Sequence, residues 1–170
     1  KDGEFGVCSR NLELRETEGN AFWKYAKEVN LKEKLLSLNK NIALQGELVG
    51  SSINGNTLKL PMNIRRVYFF NAFDIDNYRY YNFEEFLNTL KTLVLPNVPV
   101  IEANHILHNN IDEYVKMSIR KSMINKEGWT EGIVIRPLKE IIDPELINIF
   151  EHGRFSFKVI NPEYLLKNDS

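Results

Sequence analysis

The sequence predicts an α+β fold of mostly antiparallel sheets with flanking helices, and three observations predict it. Short apolar or aromatic segments of strand length carry the unusual charged residues. Segments with helical spacing separate them. Turn signals at Lys1-Asp2-Gly3 and Asp76-Asn77 stand where hairpins would close.

Taken in order, Lys1-Asp2-Gly3 is a turn preceding a short apolar strand from Glu4 to Arg10. Phe22, Trp23, Ala26 and Val29 recur at helical spacing and predict a helix over 20–29; Leu31, Leu35 and Leu38 predict a second over 31–38. Residues 41–49 read as a strand, and the Ser, Asn and Gly of 50–61 as a loop. A long aromatic and β-branched strand covers 65–75, with a short partner at 78–81. Asn82, with Glu85 three residues on, opens a helix to Leu93, which Pro96 and Pro99 follow. A strand over 98–103 and an amphipathic helix over 112–123 come next. Strands over 132–136 and 155–160 finish the pattern, with a short helix at 144–150 between them.

At 170 residues the chain is long enough for one domain with a real core, and no interdomain linker, repeat or low-complexity tract interrupts it. No apolar run approaches the ~20 residues of a membrane span, and no signal pattern opens the chain. Cys8 alone excludes an internal disulfide and suits a reducing, cytoplasmic setting. A net charge of −1 excludes a global basic field for nucleic acid. Any RNA contact must then be local: Arg65 and Arg66, Lys116 with Arg120 and Lys121, or Arg136 with Lys139, each otherwise a solvated charged face.

The most informative strings are Glu131-Gly132-Ile133-Val134-Ile135-Arg136 and Phe155-Ser156-Phe157-Lys158-Val159-Ile160, which set a carboxylate and an ammonium on short apolar strands. An unpaired buried charge is costly, so each needs a compensating group, and a nucleotide phosphate with its metal would compensate both. Upstream stand Ser9-Arg10-Asn11, Gln45-Gly46-Glu47 and Phe73-Asp74-Ile75. In this order, from Gly3 to about Leu166, the strings resemble the ATP-dependent RNA ligases of the RNA ligase 2-like branch, covalent nucleotidyltransferases related to DNA ligases and capping enzymes.

The resemblance implies one adenylyltransferase domain over 1–170, with the ATP-grasp-like nucleotidyltransferase fold of that superfamily. It further implies ATP and Mg2+ as cofactors and RNA ends as partners. Lys158 matches a lysine on the α-phosphate that helps lower the nucleophile's pKa, and Arg10 an arginine on phosphate or the RNA terminus. Glu131 matches a metal-supporting carboxylate and Glu47 a ribose or metal carboxylate. Gly132 would allow close approach of a ligand to the backbone. Phe70 matches an aromatic that stacks on adenine. Alternation puts Tyr68, Phe70 and Ala72 on one face and Phe69, Asn71 and Phe73 on the other, so Phe70 either meets a ligand or lines a second buried face. Where the family carries a further lysine, two positions before Lys158, this chain has Ser156, with Arg154 the candidate replacement.

The family's nucleophile lies in a Lys-x-Asp-Gly string about one hairpin before Ser-Arg-Asn. Lys1-Asp2-Gly3 does not match that string, so the sequence is expected to begin after the catalytic lysine and not to self-adenylylate. Two other readings stay open: a noncatalytic nucleotide- or RNA-binding module of the same fold, and a DNA ligase or capping-type enzyme. His105 and His108 lack the ligands of a zinc site. His152 reads as a helix end, Trp23 and Trp129 as packing residues, and Cys8 as an inert thiol.

Overall fold

The computed structural model describes residues 2–149 and 153–168, and these fall into two compact units. The first comprises Lys1–Leu48, Arg65–Tyr81 and Glu85–Val98; the second Val49–Ile64, Asn82–Glu84 and Pro99–Ser170.

The first unit is built on strands β1 (Ile42–Gly50), β2 (Arg65–Asp74) and β3 (Arg79–Tyr80), in that spatial order. β2 and β3 are antiparallel, pairing Phe73 with Tyr80 and Asp74 with Arg79. Helices α1 (Ala21–Glu28), α2 (Leu31–Leu36) and α3 (Phe83–Leu93) accompany them. Asn20 caps α1, its side chain accepting from Phe22 N and Trp23 N, as a short polar N-cap should. The core joins Tyr25 and Ala26 of α1, Leu48, Val67, Phe69 and Ala72 of the sheet, and Phe86, Leu90 and Leu93 of α3. Asn41 ties the ends together, donating to Asp76 Oδ1 and exchanging bonds with Asp2.

The segment expected as a strand from Glu4 to Arg10 folds instead as a narrow irregular hairpin. Cys8 bridges Glu13, Leu14 N donates to Val7 O at 2.8 Å, and Ser9 N donates to Leu12 O at 2.8 Å. Ser9 Oγ accepts from Leu12 N and donates to Leu12 O, so the hydroxyl takes over backbone partners that a strand neighbour would have supplied. The strand expected over 98–103 is absent. Phe69 N donates to Pro96 O and Val98 N to Phe69 O, a single parallel bridge at Asn97 that goes no further.

The second unit centres on β4 (Gly132–Ile135) and β5 (Phe157–Ile160), an antiparallel pair in the register Gly132 to Ile160 through Ile135 to Phe157. Helix α4 (Ile111–Ser118) is shorter than the helix expected to Met123. Thr130 explains the stop: its hydroxyl donates to Ser118 O and Arg120 O, and its N–H to Arg120 O, capturing the carbonyls a further turn would need. The helix expected over 144–150 is a single 3-10 turn at Pro144–Leu146; Phe150 and His152 lie outside the described residues. An unexpected helix, α5 (Pro162–Asn168), closes the unit. Asn161 before it is fully buried, donating to Thr130 O and Glu131 O and accepting from Glu163 N.

Candidate functional site

In the first unit the sheet sorts its residues by face. A Cβ on Gly46 would lie 2.6 Å from Val67 Cγ1 and 2.9 Å from Phe69 Cδ1, so Gly46 faces the buried side. Its neighbours Gln45 and Glu47 then face the other way, and Glu47 is exposed. Phe69 is buried at 3% exposure while Phe70 is half-buried, which puts Phe70 on the Glu47 side. Asn41 O meets Ile75 N at one end of the β1–β2 pairing and Ser51 N meets Ile64 O at the other, one residue more on β2 than on β1. That extra residue is a β-bulge. It accounts for the buried Asn71, whose Nδ2 donates 2.7 Å to Gln45 Oε1, joining the same face as Gln45. Tyr80 hydroxyl stands 3.5 Å from Gln45 Nε2. Sequence reasoning singled out Glu47 and Phe70 but not this amide pair; a polar residue inside an aromatic strand was the available signal. Arg10 occupies the exposed tip of the Val7–Leu14 hairpin, on a different element from Glu47 and Phe70.

In the second unit Lys158 Nζ bonds Glu131 Oε1, and each side chain is 49% exposed. The register places Lys158 opposite Val134 on the open face of the ribbon, while Ile133 and Val159 pair toward the buried side. Glu131 is anchored through its carbonyl, which accepts from the N–H of buried Asn161. Gly132 is required here by the strand partner: a Cβ would fall 2.1 Å from Val159 O. The close approach expected for a ligand is thus made by β5 itself. Arg154 is closed in a two-pronged pair with Glu140, at 2.6 Å from each of Nε and Nη2, with side chains 11% and 15% exposed. Such an engaged guanidinium does not replace a lysine at position 156. Ser156 instead accepts from Arg136 Nε at 3.1 Å.

His105, His108, Trp23 and Trp129, also singled out from sequence, have structural partners. His105 contacts Glu102 and Tyr114 hydroxyl and packs edge-on to His108, and no group of three or more His, Cys, Asp or Glu that could hold a metal occurs among the described residues. Trp23 Nε1 donates to Leu14 O and its ring meets Phe5 edge-on. Lys121 and Lys167 each place an ammonium over the Trp129 ring, 4.2 and 4.1 Å from its centroid. Cys8 is an exposed free thiol.

The RNA ligase family profile matches residues 1–160. The chain belongs to the RNA ligase family. An RNA ligase of Naegleria gruberi, solved as a lysine-to-alanine variant with ATP and Mn, superposes with a TM-score of 0.84 at 36% identity, over 99% of this chain and 47% of its own. A lysine-to-methionine variant of that ligase with AMP and Mn gives 0.84 at 36% identity, with the same coverages of 99% and 47%. The same ligase with PPi gives 0.83 at 35%, again over 99% and 47%. This RNA ligase-family chain therefore spans about half the length of the solved relatives it matches. No curated protein sequence matches it. The expected α+β nucleotidyltransferase fold is the fold observed.

Proposed function

We propose that the chain is the adenylyltransferase domain of an ATP-dependent RNA ligase that seals 5′-phosphate to 3′-hydroxyl RNA ends in RNA repair. The reaction has three steps. A lysine amine attacks the α-phosphate of ATP, forming a P–N bond as pyrophosphate leaves; an RNA 5′-phosphate takes the AMP; and a 3′-hydroxyl displaces it. Each step develops negative charge around phosphorus, so catalysis is mainly positioning and charge stabilisation.

The observation that carries the reading is the pair between Glu131, just before β4, and Lys158 of β5, in a chain of this family. Lys158 would hold the α-phosphate. Phe70 would stack on adenine, with Gln45 and Asn71 offering hydrogen bonds beside it, and Arg10 would meet phosphate or the RNA terminus. The donor set suits a hard divalent ion such as Mg2+, which keeps most of its waters, binds phosphate oxygens and needs only one or two protein carboxylates. Glu131 in the second unit and, separately, Glu47 in the first are the candidates for such a carboxylate, and the ion would supply charge neutralisation at the phosphates. Residues 1–170 contain no Lys-x-Asp-Gly string.

The decisive experiment incubates a form of the protein that carries a Lys-x-Asp-Gly segment with α-labelled ATP and magnesium. An acid-labile protein adduct is expected, and Lys158→Ala should reduce its yield by about a hundredfold or more, the scale of losing a charge-assisted contact to a developing charge. ATP binding with no adduct would replace this reading with the noncatalytic binding module.

A further inference from the structure

We propose that Lys121 and Lys167, gathered over the Trp129 ring, form a contact surface for the sugar-phosphate backbone of an RNA strand; the inference rests on the RNA-joining reading above. Three local features assemble it, all within the second unit. Lys121 bridges Trp129 across a short antiparallel ribbon, closed by Ser122 N donating to Gly128 O and Thr130 N to Arg120 O, so their two side chains share a face. Buried Asn161 donates to Thr130 O and Glu131 O, which fastens the start of α5 to the segment that carries Trp129. Lys167, in the last turn of that helix, then reaches over the same ring.

Two like charges thus converge on one point. The ammoniums lie 4.2 and 4.1 Å from the ring centroid, so they are no farther from each other than those two distances combined. Gathering cations is unfavourable unless their repulsion is offset, and the negative face of the indole offsets only part of it. Carboxylates add little. Lys167 reaches Glu163 at 3.4 Å across one helix turn, while Lys121 pairs with no carboxylate among the described residues and donates to Glu127 O at 3.4 Å. An ammonium has three donors, so each keeps donors to spare. Lys121 is exposed, and the Lys167 side chain is 48% exposed. Trp129 is half-buried beneath them, so the ligand that fits is a strand of anionic oxygens and not a base stacked on the ring. With a net charge of −1, the chain must hold RNA through local sets of cations, and phosphate contacts of this kind set register and orientation without reading bases.

Fluorescence anisotropy of a labelled RNA strand, titrated with the chain across a series of salt concentrations, tests this. Lys121→Gln and Lys167→Gln should each weaken binding severalfold at low salt and flatten the dependence of log affinity on log salt by about 0.7, the share of one phosphate contact on a single strand. The double variant should flatten it by about 1.4. Lys121→Arg combined with Lys167→Arg, which keeps both charges, should restore the wild-type slope. AMP binding, followed by calorimetry, should be unchanged throughout. Circular dichroism identifies any variant that fails to fold, and the single substitutions carry the decision where the double one does. Unchanged salt slopes in folded Gln variants of a chain that binds RNA, or equal loss of RNA and AMP, overturn the surface alone. Wild-type chain that binds no RNA at low salt overturns the RNA-joining reading with it.

Discussion

Gly132 shows how one residue can carry a motif for a reason other than the chemistry expected of it. The sequence marks Glu131-Gly132 as a place where a ligand nears the backbone, yet the atom that crowds position 132 is Val159 O. A methyl group there must push β4 from β5 or break their pairing. Gly132→Ala should therefore lower stability by about 2 kcal/mol or more, read by urea denaturation, and should displace Lys158 from Glu131. Stability within about 0.5 kcal/mol of wild type would show that the ribbon relaxes around the methyl. Position 156 is the opposite case. Its departure from the family pattern was legible, but the cation standing across from it was not, because Arg136 becomes its neighbour only in the folded chain.

Among the elements, the strands bearing motifs were readable to within a residue or two, since β-branched and aromatic runs bounded by turn residues leave few alternatives. What was misread turns on single polar contacts: Ser9 bending a strand into a hairpin and Thr130 stopping α4. Helix α5 was announced by Asn161-Pro162, a cap followed by proline at the first helical position. Asn161→Ala would strand Thr130 O and remove the cap on Glu163 N, while keeping the backbone bond to Glu131 O. It should cost roughly 2–4 kcal/mol in chemical denaturation. At the β2–β3 turn, Asn77 donates to the Asp74 carboxylate from its side chain and backbone, holding Asp74 below the usual carboxylate range. A depressed folded-state value contributes stability that is present above about pH 4 and lost as pH falls through the folded value. The stability gap between wild type and Asp74→Asn should accordingly shrink on acidification; a gap that is constant or widens would contradict the assignment.

At the scale of the whole chain, the two units are held differently. Most of the fully buried apolar side chains lie in the first unit, whereas in the second Ile133 and Tyr114 are joined by buried Ser118, Ser122 and Asn161. No helix among the described residues is long and apolar enough to cross a membrane. Burial pushes the Tyr25 and Tyr81 hydroxyls above the ordinary tyrosine value, both in the first unit. Their contribution to stability is present below about pH 10 and lost as pH rises through the raised values. An alkaline absorbance titration should show these two phenols ionising late, and Tyr25→Phe with Tyr81→Phe should remove that late component. The candidate site was legible in sequence only as the strand membership of Glu47, Phe70 and Lys158. Its hydrogen-bonded supports were not, since the Gln45–Asn71 and Arg136–Ser156 pairs join positions far apart along the chain. The chain has two tryptophans, and the units share them evenly: Trp23 lies against Phe5 in the first and Trp129 beneath two ammonium groups in the second. Each unit thus contains one tryptophan in its own electrostatic setting. Emission from Trp23→Phe and Trp129→Phe variants can follow the melting of either unit alone, without an added dye.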